Sequence, residues 1–87
     1  MSRIVAVRVK HPGTHEQHIT DFKTATDNII PKTSMIVYIE SWGGVYYTSV
    51  DGKRANLIVV EGPDGIPYVK TEADDTTVNN LLNLPRF

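Results

Sequence analysis

Three histidines follow the first apolar stretch of the chain, close enough together to suggest a metal site. His11, His15 and His18 form a His-x-x-x-His-x-x-His pattern that also contains Glu16. Imidazole and carboxylate groups are ligands that zinc and nickel accept. The pattern also fits a solvated turn, since it surrounds Pro12-Gly13 and metal ligands need rigid, supported elements. A metal-dependent small enzyme is therefore one hypothesis, and a plain turn with no cofactor is the other.

Aromatic and basic side chains form a second constellation. Tyrosine and tryptophan rings offer stacking surfaces with a polar group, and arginine offers a forked donor for phosphate or carboxylate. The candidate ligand-binding residues are Arg8, Trp42, Tyr46, Tyr47, Tyr68, Lys70 and Arg86, with Lys10, Lys53 and Arg54 as further cations. Such a set could bind a small anionic ligand such as a nucleotide, or a peptide. The alternative is that half of the rings are core and the cations are ordinary surface residues.

Acidic residues cluster near the end of the chain. Asp74 and Asp75, with Glu72 and Asp64, could form a metal-binding or general-acid pair, but carboxylates before a helical turn more often cap it. The chain has no cysteine, no Gly-x-Ser-x-Gly nucleophile motif and no Gly-x-x-x-x-Gly-Lys phosphate loop. We therefore expect a non-catalytic binding or interaction domain rather than an enzyme.

The length and net charge of the chain limit the number of domains and the kinds of partner that we expect. A chain of 87 residues is expected to form one small domain, residues 1–87, whose limited core favours self-association. The net charge of −1 provides no overall basic field, so nucleic acid is not an expected partner. No apolar run approaches the roughly 20 residues of a membrane-spanning helix, and the opening residues show no signal-peptide pattern. We expect a cytoplasmic protein whose partner is another protein, a second copy or a small anion.

Alternating apolar and polar residues predict most of the fold. Strands are expected over residues 4–10, 18–24, 45–50, 55–61 and 67–71. Ile19 and Phe22 have opposite parity, so both reach the core only if a bulge lies near Thr20-Asp21. Asp51-Gly52 predicts a hairpin, and Asp64-Gly65 belongs to a second turn. The fold class is α+β, mainly β, with a small twisted antiparallel sheet of about five strands.

The middle of the chain is ambiguous. Residues 25–32 have no clean period and are expected to form a connecting turn. The β-branched residues of Ser34–Glu40 favour a strand, whereas Thr33 or Ser34 as an N-cap permits a short helix across one face of the sheet.

The last nine residues predict a C-terminal segment that packs against the rest of the domain rather than being disordered. Val78 and the first two leucines have the i, i+3, i+4 spacing of a helical turn, which a proline then ends. The residues with an expected structural role are Asp64, Gly65, Asn79, Asn80, Leu81, Leu84 and Pro85. The asparagines are expected to bond neighbouring backbone and to fix how the leucines enter the core.

A series of different short motifs lies between residue 59 and residue 87. They are Val59-Val60-Glu61-Gly62-Pro63-Asp64-Gly65, Tyr68-Val69-Lys70-Thr71, Asp75, Asn79-Asn80-Leu81, Leu84-Pro85 and Phe87. This series resembles a family of short bacterial and phage domains of unknown function. Near the start, Ile4, Val7 and Arg8 match that family's Ile-x-x-Val-Arg strand, and Ile19-Thr20-Asp21 matches its Ile-Thr-Asp strand.

The resemblance implies a fold and no activity. It implies a short helix over Ser34 to Ser41 with Gly43 near its C-cap. Val37, Tyr38 and Ile39 stand where charged helix formers are expected, which predicts a sticky outer helix face. An exposed Met35–Ile39 face would then favour self-association. The resemblance brings no site residues.

Overall fold

The computed structural model describes residues 2–50, 52–72 and 81–87. The elements in chain order are β1 Ser2–Val9, a 3₁₀ turn Glu16–His18, β2 Ile19–Thr24, β3 Ile29–Pro31, α1 Lys32–Trp42, β4 Tyr46–Val50, β5 Lys53–Glu61, β6 Pro67–Thr71 and a second 3₁₀ turn Leu81–Asn83. Over these ranges the chain is mainly β with a single α-helix, which confirms the α+β class. No helix within them is long and apolar enough to cross a membrane.

The strands form a mixed sheet with the order β3-β2-β1-β4-β5-β6. Neighbouring strands are antiparallel except for β1 and β4, which run parallel. The prediction of about five antiparallel strands is therefore wrong in two respects. Residues 29–31, expected in a connection, pair with β2 as a sixth strand that is too short to show an alternating pattern. The chain then crosses over through α1, and such crossovers are how strands come to lie parallel.

Two bulges bring residues of opposite parity into the core. Arg8 and Val9 are consecutive in β1, but their partners in β2 are Asp21 and Ile19. Thr20 is therefore the extra residue of a bulge, as the sequence predicts. Ile19 and Phe22 are both fully buried as a result. A similar shift in β1, between Ile4 and Ala6, was not expected from the sequence.

Helix α1 is bounded by backbone conformation at both ends. Its N-cap is Pro31, which has extended backbone and makes no side-chain capping hydrogen bond. The N-cap predicted at Thr33 or Ser34 is wrong, because both residues lie inside the helix. Gly43 ends the helix in the left-handed conformation with φ of 64°, and its amide bonds to the Tyr38 carbonyl oxygen. The helix and its terminal glycine agree with what the family resemblance implies.

Helix α1 packs one side against the core of the sheet and leaves the other side exposed. Met35 is fully buried, and Ile36 and Ile39 pack against the core while partly exposed. Val37 is 45% exposed on the other side. The expectation of an exposed Met35–Ile39 face is therefore wrong, since α1 lies with Met35 against the sheet.

The hydrophobic core and helix α1 lie on the same side of the sheet. The core consists of Ile4, Val7, Ile19, Phe22, Met35, Leu57, Val69 and Leu81. Helix α1 contacts β2 and β3 at one end of the sheet and β5 and β6 at the other, so the sheet curves around it. We call the side that carries this core the helix face and the opposite side the open face.

Residues 81–87, the closing segment, dock against β1 as predicted. Leu81 is fully buried and Leu84 packs against the core. The Val7 amide donates to the Pro85 carbonyl oxygen at 2.9 Å, and the Phe87 amide donates to the Val7 carbonyl oxygen at 3.2 Å. The chain therefore adds a short parallel bridge to the edge of β1. The parts predicted for Val78, Asn79 and Asn80, and for Asp74 and Asp75 as caps, lie outside the described residues.

The turn before β6 has the predicted chemistry. The Asp64 carboxylate accepts the Ile66 amide at 3.1 Å, and the Gly62 amide donates to the Ile66 carbonyl oxygen at 3.0 Å. Gly65 has φ of 79°, a conformation that side chains other than glycine rarely adopt. Asp64 and Gly65 therefore shape the turn that leads Tyr68 into β6.

Candidate functional site

The aromatic and basic residues predicted as one ligand site lie on two sides of the sheet. Cross-strand partners share a face, and residues two apart along a strand share a face as well. Tyr46 lies on the helix face beside α1, and Trp42 is the last residue of that helix. By the pairing of their strands, Arg8, Tyr47, Tyr68 and Lys70 lie on the open face. The structure therefore divides the predicted set into two clusters, with Arg86 in the closing segment.

The first cluster is aromatic and lies at the end of α1. The Tyr38 ring is 4.9 Å from Trp42 and 6.5 Å from Tyr46, measured between centroids. Trp42 remains 73% exposed. Burial, and after it the neighbouring Tyr38 phenol, raises the pKa of Tyr46 above its ordinary value. Tyr38 was absent from the predicted set, although its i, i+4 spacing to Trp42 was the signal that could have identified it.

The second cluster lies on the open face, around Tyr47. The Arg54 guanidinium is 4.0 Å from the centroid of the Tyr47 ring, a cation–π contact. Arg3 is the β1 partner of Tyr47 in the parallel pairing. On the same face, Lys70 pairs with Ile58 across β5 and β6.

A third group surrounds the Phe87 ring at the other end of β1. The Arg8 guanidinium lies 4.6 Å and the Lys23 ammonium 5.8 Å from the ring centroid. Arg8 also pairs with Asp21 at 3.9 Å. Arg86 points elsewhere, because its guanidinium donates to the Leu82 carbonyl oxygen at 3.2 Å. The structure thus brings Arg8, but not Arg86, onto the open face.

We call residues 11–18 the histidine loop. In this loop the His18 imidazole holds the backbone of the loop itself. The His18 Nδ1 atom accepts the amides of Thr14 at 3.1 Å and His15 at 3.3 Å. Because Nδ1 is an acceptor here, a neutral His18 carries its proton on Nε2. Over residues 2–50, 52–72 and 81–87, no group of three histidine or acidic side chains is placed to hold a metal ion. The geometry therefore gives the metal hypothesis for His11, His15 and His18 no support.

A small cavity lies where the histidine loop, the start of α1 and the turn before β6 meet. We call it the Tyr68 cavity. Its volume is about 220 Å³, and it is lined by Lys10, Gln17, His18, Lys32, Asp64, Ile66, Pro67 and Tyr68. The ion pairs found among the described residues are Arg8–Asp21 and Lys23–Asp27, so Lys10 and Lys32 have no carboxylate partner there. The cavity thus combines two cations, one carboxylate, an imidazole and an aromatic ring.

A family model matches nearly the whole sequence, and the family is one of unknown function. The model of the family described as protein of unknown function (DUF3892) matches residues 3–85. The chain belongs to this family. The match confirms the family resemblance at the level of a domain of unknown function, while the bacterial or phage origin stays a prediction. No curated protein and no solved structure match the chain.

The Tyr68 cavity of this DUF3892 member contains residues that sequence reasoning did not bring together. The sequence predicts a connection at Lys32, a strand or a metal ligand at His18, and no site at Gln17. Their meeting depends on the curvature of the sheet, which carries β6 next to the 3₁₀ turn before β2. No local pattern in the sequence marks a contact between segments about 50 residues apart.

Proposed function

We propose that this chain is a non-catalytic binding domain whose ligand is a small anion held in the Tyr68 cavity. The observation that supports this proposal is the pair of lysines at the cavity, Lys10 and Lys32, which have no carboxylate partner among the described residues. Two cations against one lining carboxylate, Asp64, leave an excess of positive charge at the cavity, which favours a negatively charged ligand.

His18 and Tyr68 at the cavity fit an anion as well. In its neutral form, His18 keeps a proton on Nε2, because Nδ1 is occupied by two backbone amides. Tyr68 supplies an aromatic surface and a hydroxyl group. A volume of about 220 Å³ is smaller than that of a drug-sized pocket, which favours a phosphate or a small phosphorylated molecule over a large cofactor.

The same contacts support binding rather than catalysis. A general base needs a free lone pair within reach of the proton that it removes. The Nδ1 atom of His18 already accepts two amides, and one carboxylate oxygen of Asp64 already accepts the Ile66 amide. The His18 imidazole is thus engaged in holding its own loop, and Asp64 takes part in shaping the turn before β6.

Titrations with inorganic phosphate and with adenosine monophosphate test this proposal. A ligand that binds only the folded state raises the free energy of unfolding, by about 2.7 kcal/mol when its concentration is 100 times its Kd. The melting temperature rises as a result. We expect Lys10→Gln and Lys32→Gln each to weaken binding about tenfold, as loss of a charge-assisted contact does. Lys70→Gln is the matched control, because Lys70 does not line the cavity. The proposal fails if neither compound shifts the melt, or if Lys70→Gln weakens binding as much as the cavity variants do.

A second candidate function is contact with a protein, including a second copy of this chain, through the aromatic cluster at the end of α1. The observation that favours it is the exposure of Trp42, at 73%, beside Val45, at 44%. Exposed tryptophan is enriched at protein interfaces. Light scattering after size exclusion should show an oligomer that Trp42→Ser dissociates and Val37→Ser leaves intact. A strictly monomeric protein at high concentration would exclude self-association through this cluster.

A further inference from the structure

We propose that the open face of the sheet binds single-stranded nucleic acid. This surface is distinct from the Tyr68 cavity, although Tyr68 borders both. It lies opposite α1, and the Phe87 ring of the closing segment lies against its edge at Arg8 and Lys23. The cations and aromatic rings on this face, rather than its exposure alone, are the basis for proposing nucleic acid as the ligand.

Positive charge is concentrated on the open face. By strand register it carries Arg3, Arg8, Lys23, Arg54 and Lys70. The described acidic residues on or next to this face are Asp21, 3.9 Å from Arg8, Asp27, 3.5 Å from Lys23, and Glu72, which follows β6. The five cations therefore outnumber these three carboxylates. The net charge of −1 for the whole chain therefore conceals a basic surface. Such a surface attracts the phosphates of a nucleic acid strand.

Aromatic rings alternate with these cations. Tyr47 lies between Arg3, its β1 neighbour, and Arg54, whose guanidinium is 4.0 Å from the ring centroid. Phe87 lies between Arg8 and Lys23, at 4.6 and 5.8 Å. Bases stack on aromatic rings and on guanidinium groups, and surfaces that combine the two bind single strands without strong sequence preference. An acidic protein would use the cations but would gain little from the rings.

The spread of the cations favours a strand over a single nucleotide. Arg3 and Arg8 are separated by about 16 Å along β1, and Arg3 and Lys70 by about 14 Å across three strand spacings. A mononucleotide contacts only one of these positions at a time, whereas a chain of phosphates contacts several. A hollow of about 280 Å³, lined by Arg3, Tyr47 and the turn Thr24–Thr26, provides space for one base at the end of this path.

Fluorescence anisotropy with a labelled oligothymidylate of about 12 nucleotides tests the proposal on the full chain. We expect binding at low salt, with log K falling against log salt at a slope of about −2 if three phosphates are contacted. Arg3→Glu and Lys70→Glu should each weaken binding roughly tenfold or more, since each reverses a charge on the path. The double variant Thr33→Glu/Val37→Glu is the control with the same total charge change, because both residues are exposed on α1, on the other side of the sheet, and neither lines the Tyr68 cavity.

Stacking is tested separately from charge. Tyr47→Ala should weaken binding by roughly fivefold or more, and Tyr47→Leu keeps the bulk of the side chain if the alanine variant melts early. The proposal is overturned by absence of binding at low salt, or by equal losses in Thr33→Glu/Val37→Glu and Lys70→Glu. It is also overturned if polyglutamate binds as tightly as the oligonucleotide and Tyr47→Ala has no effect, because that result shows a general preference for polyanions. A failure here leaves the phosphate titrations of Lys10 and Lys32 unaffected, so the two proposals are judged independently.

Discussion

The amide of Val7 donates a hydrogen bond of 2.9 Å to the carbonyl oxygen of Pro85. On this edge of β1, β4 pairs only at Ser2 and Arg3, so the remaining backbone groups need another partner. The closing segment supplies one, through Pro85 and then through the Phe87 amide. Residues 81–87 are thus part of the sheet and its core rather than an appendage.

Deleting residues 81–87 should abolish the cooperative melt of the domain. The deletion leaves the Val7 amide and carbonyl unpaired and removes Leu81, which is fully buried. Leu81→Ala alone should lower the free energy of unfolding by about 2–5 kcal/mol, a large part of the stability of a small domain. Chemical denaturation measures both variants. If the truncated chain keeps the cooperative transition of the full chain, the segment does not hold the fold.

Met35→Ala should destabilise the domain far more than Val37→Ala. Met35 is fully buried between α1 and the sheet, and its truncation should cost about 2–5 kcal/mol. Val37 is 45% exposed, so its truncation should change stability by less than about 0.5 kcal/mol. Both variants are compared by urea unfolding. Equal effects would mean that α1 does not present Met35 to the core.

Gly43 and Gly44 should respond to substitution for different reasons. Gly43 has φ of 64° and open space around it, so Gly43→Ala should cost about 1 kcal/mol of backbone strain. Gly43→Asn should cost less, because asparagine tolerates this conformation. A Cβ at Gly44 would lie 3.0 Å from the Tyr38 carbonyl oxygen and 3.1 Å from the Tyr46 ring, so Gly44→Ala should displace the aromatic cluster. Thermal melts and near-ultraviolet circular dichroism separate the two effects.

The sequence was informative wherever a local rule decides the structure. The opposite parity of Ile19 and Phe22 predicts the bulge at Thr20, and Asp64 with Gly65 predicts the turn before β6. Strand β3 was missed, because three residues ending in proline cannot show a period of two. The parallel pairing of β1 with β4 depends on the path of α1, which no short window of sequence contains.

The candidate sites were harder to predict because they depend on which face a residue occupies. Tyr46 and Tyr47 are adjacent in the sequence, yet they lie on opposite sides of β4. A list of aromatic and basic residue types therefore mixes two surfaces. Lys10 and Lys32 were assigned to no common site, and only the curvature of the sheet brings them to one cavity.

The aromatic cluster should make the domain sensitive to alkaline pH. Burial, and then the nearby Tyr38 phenol, raises the pKa of Tyr46 in the folded state above the value of about 10 for an unfolded tyrosine. The unfolded chain therefore loses this proton first as the pH rises, so the stability due to neutral Tyr46 is complete below pH of about 10 and is lost above it.

Unfolding by urea as a function of pH measures this effect. We expect the free energy of unfolding to fall above pH of about 10 in the native chain and to fall less in Tyr46→Phe, which cannot ionise. Tyr47→Phe is the control, because Tyr47 lies on the open face under Arg54 rather than beside Tyr38. If Tyr46→Phe and the native chain lose stability in parallel across this range, burial of the Tyr46 hydroxyl does not set the alkaline limit of the fold.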